Sequence, residues 1–143
     1  MTFLLTEGNA ICIFADDVRQ EIGNKISVIG QYGDDMIFPG PPPGGIQKLA
    51  VVLYLKVPVD DVPSKLRLRV TAPAHEGPVA KVEMETAGLA NGRYPDAHHY
   101  ILTFGIPIQP ILVTEPGFIE VFADIGMGEI KAGRLRVAFQ QTE

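Results

Sequence analysis

Short apolar runs separated by Gly, Pro and Asp clusters dominate the pattern along the chain, and helical periodicity is almost absent. In the run KLRLRV, residues 65–70, apolar and basic side chains alternate and therefore occupy opposite faces of a strand. The run LAVVLYL, residues 49–55, does not alternate and predicts a central strand that is apolar on both faces. We place eight strands, at residues 10–15, 25–32, 47–57, 65–72, 79–86, 100–107, 118–124 and 129–140.

These strands differ in apolarity and several are interrupted by Pro or Gly, which favours two packed antiparallel sheets over a closed barrel. A chain of 143 residues is long enough for one core. We therefore predict an all-β fold, with a single antiparallel β-sandwich domain of about eight strands over residues 1–143, immunoglobulin-like or C2-like. The spacing of Asp17 and Gln20 resembles a capping box and allows at most one short helical turn near Asp17–Ile22, with Val18 and Ile22 facing the core.

Composition narrows the classes of partner and the expected location. The net charge of -5 argues against nucleic acid or an anionic membrane as the main partner. Cys12 is the single cysteine, so no internal disulfide forms, and its apolar neighbours predict an inert core thiol. The chain has no apolar run long enough for a membrane span and no basic leader, which predicts a cytoplasmic protein.

No catalytic motif is present: the chain lacks a GxSxG elbow and a phosphate-binding glycine loop before a helix. We therefore expect no enzyme activity and no cofactor. Strand parity would bring acidic loop residues to one end of a sandwich, where carboxylates can hold Ca²⁺. A domain that binds a divalent metal or a small ligand there, with hydrolysis as its reaction if it has one, is the alternative function; solvated turns are the plainer interpretation of the same residues. The metal candidates are Asp16, Asp17, Asp60 and Asp61.

The stretch FADDVRQEIGNKISVIGQYGDDMIFP, from Phe14 to Pro39, resembles the opening of a family of uncharacterised bacterial and phage proteins. In that family an aromatic-(Ala/Cys)-Asp-Asp-(Ile/Val)-Arg-x-Glu segment leads to Gly-x-Lys-hydrophobic-Ser-x-hydrophobic-Gly-x-Tyr. The resemblance covers about a fifth of the chain and implies a small β-domain of bacterial or phage origin. The family has no established activity, so no catalytic role transfers. The motif residues to test first are Asp16, Asp17, Arg19, Glu21 and Lys25.

The absence of catalytic chemistry, together with sheet edges that need covering, predicts a protein that works through contact with other proteins. We expect a non-enzymatic interaction, structural or assembly module whose partner is another protein or a second copy of itself, with a homo-oligomer as the expected state. The proline-rich segment FPGPPPGG, residues 38–45, is expected to be a stiff crossover between sheets, and a proline ligand for an aromatic groove is its alternative function.

Overall fold

The computed structural model describes residues 10–23, 25–58, 60, 62–86, 98–126 and 128–140. Within these residues the chain is all-β and contains no helix, so the predicted fold class is confirmed. Each of the eight predicted strands overlaps an observed one. The strands are β1 (Ala10–Glu21), β2 (Lys25–Gln31), β3 (Asp35–Phe38), β4 (Gly44–Ile46), β5 (Leu49–Pro58), β6 (Lys65–Thr71), β7 (Ala80–Glu85), β8 (His99–Ile108), β9 (Ile111–Val113), β10 (Gly117–Asp124) and β11 (Glu129–Phe139).

The strands form three sheets, none of which closes into a barrel. Sheet A has the order β2-β1-β5-β8, sheet B the order β3-β11-β10-β6-β7, and sheet C consists of β4 and β9. All pairs are antiparallel except β3 with β11. The predicted two-sheet sandwich of eight antiparallel strands is not confirmed, because the described chain has three sheets and eleven strands. The strands that the sequence did not reveal, β3, β4 and β9, have only three or four residues each, too few for a period of two to be recognised.

One apolar cluster joins the two larger sheets. It contains alternate residues of β5 in sheet A, such as Leu53 and Leu55, and of β6 in sheet B, such as Leu66 and Leu68. Strand β5 lies between β1 and β8 and is buried on both faces along most of its length, as its unbroken apolar run predicted. The proline-rich segment connects β3 of sheet B to β4 of sheet C, just before β5 of sheet A, and so acts as a crossover.

The largest departure from the sequence prediction lies in β1. This strand does not end at Ala15 but continues to Glu21, and the helical turn expected near Asp17–Ile22 is absent. A single helical turn is costly to nucleate, whereas pairing with β2 gives the same residues a regular ladder of backbone hydrogen bonds. The expected core position of Ile22 is also wrong, since Ile22 follows the strand in the turn and is 95% exposed.

The described residues include no helix that is both long enough and apolar enough to cross a lipid bilayer.

Candidate functional site: the β1–β2 hairpin

The five candidate residues of the motif lie in a β-hairpin that extends beyond the pairing of β1 with β5 in sheet A. Strand β1 pairs with β5 from Ala10 to Ala15 and with β2 from Ala15 to Glu21, so its two halves have different partners. Beyond Ala15 only two strands remain side by side. We call residues 16–31 the arm. All five predicted site residues lie in it, and the structure therefore brings them into one element.

Three residues fix the base of the arm. The hydroxyl of Tyr32 donates a hydrogen bond to Oδ1 of Asp16 at 2.8 Å. Burial, together with this bond to the carboxylate, raises the pKa of Tyr32 to about 12. Gly30 lies beneath the same carboxylate with a φ of 67°, and a Cβ at this position would overlap the Asp16 side chain. Asp16 is therefore engaged in holding the two strands of the arm together.

The remaining acids of the motif also bond within the arm. Asp17 accepts a hydrogen bond from the backbone N–H of Val18 at 2.9 Å, and its other carboxylate oxygen lies 3.9 Å from Nε of Arg19. Glu21 accepts a hydrogen bond from the hydroxyl of Ser27 on the facing strand at 3.0 Å. The two cations, Arg19 and Lys25, keep their side chains largely in solvent. The polar motif thus stabilises a hairpin and contains no pair of carboxylates aimed at a common point.

The arm packs against sheet A through its apolar residues. A Cβ added to Gly105 of β8 would lie 2.7 Å from Cγ2 of Val18, so the glycine allows the arm to approach this strand closely. Ile26 and Val28 on β2 are half-buried, whereas Ile29 between them and the base is 40% exposed. Together with Ile22 in the turn, the arm carries two of the exposed large apolar side chains of the described chain.

The described residues contain no group of three or more His, Cys, Asp or Glu side chains able to hold a metal ion. The predicted position of Asp16 and Asp17 in a loop at the end of a sandwich is wrong, because both lie within β1, where successive side chains point to opposite faces. Asp60 is exposed between β5 and β6, and Asp61 lies outside the described residues. Asp16 and Asp17 are neighbours in the chain, but their side chains do not face a common point.

The outer face of sheet B is a second polar surface, and its ion pairs follow the alternation of the sequence. Lys65 and Arg67 contact Glu83 of the neighbouring strand at 3.3 and 3.1 Å, and they hold the pKa of that carboxyl below its usual value. Arg69 donates two hydrogen bonds to Glu129, at 2.6 and 2.9 Å, which likewise lower the pKa of Glu129. Cross-strand ion pairs therefore join β6 to β7 and to β11 on this face.

Sequence reasoning missed the two phenylalanines of this face. Phe122 lies between Arg69 and Lys131, with the guanidinium carbon 4.3 Å and the ammonium nitrogen 5.7 Å from its ring centroid. The guanidinium of Arg134 lies 4.4 Å from the ring centroid of Phe118. The alternation in GFIEVFAD, residues 117–124, was the signal, because it places both rings on the same face as Glu120. Cations above aromatic rings add to the cohesion of the face.

The outer face of sheet B also contains a depression. This depression of about 340 Å³ lies between β6 and β7, but it is open and lined largely by charged side chains that are already paired, such as Arg67, Glu83 and Glu129. Buried polar side-chain atoms of the described chain all have hydrogen-bond partners. Burial raises the pKa of Cys12 to about 12, which keeps the thiol protonated at neutral pH.

Comparison with known proteins gives no match to a family model, to a curated protein or to a solved structure.

Proposed function

We propose that the protein is a non-enzymatic interaction and assembly module whose contact element is the arm. The observation that carries this proposal is Ile22, which is 95% exposed in the turn at the end of a two-stranded extension. A large apolar side chain in this position contributes little to the stability of the fold, whereas burying it against a partner would be favourable. The partner we propose is a protein, since the arm offers a strand edge and apolar side chains. The depression of about 510 Å³ beside its turn, lined by residues such as Ile22, Lys25 and Ser27, is wide open to solvent.

Two further features support a contact role over a catalytic one. The acids of the motif are used in bonds that build the arm, and the described polar groups of the interior are satisfied among themselves. In agreement with the resemblance, we propose a bacterial or phage protein that works in the cytoplasm. We also propose that sheets A and B are the two layers of an immunoglobulin-like or C2-like sandwich, which their shared apolar cluster supports.

Native mass spectrometry of the protein purified from its own cells, in wild-type and Ile22→Ser form, tests this function. We expect a bound protein or a defined oligomer with the wild type and its loss with Ile22→Ser. Leu112→Ser is the matched control, because Leu112 is also an exposed aliphatic side chain but lies on β9 of sheet C, in a different sheet from the arm. A wild-type monomer without a partner, or a complex that Ile22→Ser leaves intact, contradicts the proposal.

A further inference from the structure

The described sheet edges differ in how strongly they are protected against pairing with another chain. Edge strand β7 carries Lys81, Glu83 and Glu85, the kind of charged row that discourages edge-to-edge association. Edge strand β8 contains Pro107, which cannot donate a ladder hydrogen bond. Edge strand β2, KISVIGQ, contains a single charge, Lys25 at its first position, and no proline. Among these three edges β2 is the least protected.

The ladder between β1 and β2 shows which backbone groups of β2 face outward. The N–H of Tyr32 donates to the carbonyl of Phe14 at 2.8 Å, so these two residues form a hydrogen-bonded pair at the base of the arm. Hydrogen-bonded pairs alternate along an antiparallel ladder, which makes Val18 and Val28 such a pair as well. The N–H and C=O groups of Ser27 and Ile29 are consequently directed to the free edge of β2.

From this arrangement we infer that the arm binds a second copy of this chain, with the two β2 strands antiparallel about a two-fold axis through Val28. This inference rests on the proposed function and names the partner of the arm. The sheets A of the two copies would then join into one sheet of eight strands. The β2 edge of each copy would be covered by that of the other.

The sequence of β2 is self-complementary in this register. Ser27 of one copy faces Ile29 of the other, so the outward backbone groups meet as hydrogen-bonded pairs. Lys25 faces Gln31 of the second copy, which avoids the like-charge contact that an unshifted parallel pairing would create. Val28 meets its own copy on the axis, and the exposed side chain of Ile29 gains cover from the neighbouring strand. A second copy therefore satisfies the hydrogen-bonding, charge and apolar requirements of this edge together.

Sedimentation velocity of the wild type and two variants tests the inference. Ile29→Pro removes an N–H that points outward, so it should leave the monomer folded but weaken the dimer by at least about tenfold in dissociation constant. The control Ile29→Thr keeps the N–H and a β-branched side chain, and should dimerise nearly as well as the wild type. Circular dichroism and thermal melting establish that both variants are folded.

Cross-linking provides a test that does not depend on the folding of the proline variant. In the Cys12→Ala background, Val28→Cys places one thiol per chain on the two-fold axis, at a non-hydrogen-bonded pair whose Cα atoms lie about 4.5 Å apart, within disulfide range. Mild oxidation should yield a covalent dimer. The control Ile101→Cys in the same background, exposed on β8 of the same sheet, should yield no covalent dimer although its β2 edge is unchanged.

The outcomes separate this inference from the proposed function. A wild-type oligomer that survives Ile29→Pro and does not cross-link at Val28→Cys overturns the β2 pairing but leaves the interaction module. Loss of that oligomer with Ile22→Ser would still assign the contact to the arm. A wild-type monomer that co-purifies with a different protein also overturns the pairing and retains the module. A monomer without any partner removes both.

Discussion

The outer face of sheet B and the arm are both exposed and both polar, yet their polar residues are used differently. On sheet B, charges of opposite sign face each other across strands, and cations lie over Phe118 and Phe122. In the arm, the acids accept hydrogen bonds from the hairpin itself, at Tyr32 and Ser27, and the outer strand has one charge. The first surface is satisfied by its own side chains, whereas the second leaves backbone groups and isoleucines without cover in the described chain.

This difference shows that the number of charged residues does not identify an interaction surface. More than half of the 12 Lys and Arg residues lie on the outer face of sheet B, but most of them are paired there. A partner binding to that face would have to displace or desolvate ion pairs that are already stable in water. The net gain in binding free energy would therefore be small. The arm requires no such exchange, because β2 is an edge strand whose one ladder neighbour among the described strands is β1, and it carries a single charge.

The largest expected effect is that of a charge introduced beneath the outer face of sheet B, compared with the same charge in the arm. Leu68 is 2% exposed beneath the charged face of sheet B, and Leu68→Asp should abolish folding or lower the free energy of unfolding by about 3–5 kcal/mol, since the carboxylate would be buried without a partner. Ile22→Asp in the arm should change it by less than about 0.5 kcal/mol. Urea unfolding followed by circular dichroism measures both. Equal losses would show that the turn of the arm is packed in solution.

A smaller loss is expected from a methyl group at the base of the arm. Gly30→Ala should lower the free energy of unfolding by about 1–3 kcal/mol, because the positive φ is unfavourable and the new Cβ overlaps Asp16. In an Asp16→Ala background the same Gly30→Ala change should cost less, since the overlap with the Asp16 side chain is gone and the cost of the φ angle remains. Gly33→Ala is the control, with open space around its Cβ. Thermal melts that rank Gly33→Ala as the more harmful change contradict the described base.

The pH dependence of stability tests the ion pairs on the outer face of sheet B. The lowered pKa values of Glu83 and Glu129 mean that the unfolded chain takes up protons before the folded chain does. Their contribution to stability is therefore present above the usual pKa of 4.5 and is lost as the pH falls through the lower values of the folded state. Melting temperatures measured from about pH 6 to about pH 3 should decrease, and the Glu83→Gln/Glu129→Gln variant should show a shallower decrease.

Glu76→Gln is the control for this pH series, because Glu76 is exposed in the connection between β6 and β7, away from the ion pairs. A pH profile that the double variant does not change would mean that the ion pairs of sheet B contribute nothing measurable to stability.

The smallest expected effect is that of calcium. Titration of the wild type with Ca²⁺ should leave the melting temperature unchanged, because the described residues provide no cluster of three acidic or histidine ligands, and a ligand specific to the folded state must stabilise it. Mg²⁺ at equal concentration controls for ionic strength. A saturable increase with Ca²⁺ alone would restore the metal-binding alternative and direct attention to Asp60 and Asp61.

The strands that the sequence predicted well are those whose limits are set by local chemistry. In β6 and β10 the alternation of apolar and polar residues stops near Gly, Pro or Asp, and their predicted and observed limits nearly coincide. The limit of β1 was wrong because Asp16 and Asp17 suggest a turn, while the continuation of the strand depends on β2. Such pairing is a long-range property that no local pattern reports.

The sequence predicted which residues group together in the candidate site, but not the contacts that they make. The five motif residues lie close together in the sequence, and a hairpin necessarily keeps them close. Their structural roles, however, depend on Gly30 and Tyr32, which meet Asp16 only after the chain has reversed direction. The self-complementary edge of β2 likewise becomes visible only when the ladder shows which backbone groups point outward.

The continuity of β1 has a consequence for how this protein can diversify. One uninterrupted strand contributes Phe14 to the core and Glu21 to the arm, so the arm cannot be replaced independently of the core. Substitutions near the base of the arm would affect folding as well as recognition. Variation among related chains should therefore concentrate in the turn around Ile22 and at outward positions of β2. New binding specificities would arise there by single substitutions rather than by replacement of the whole hairpin.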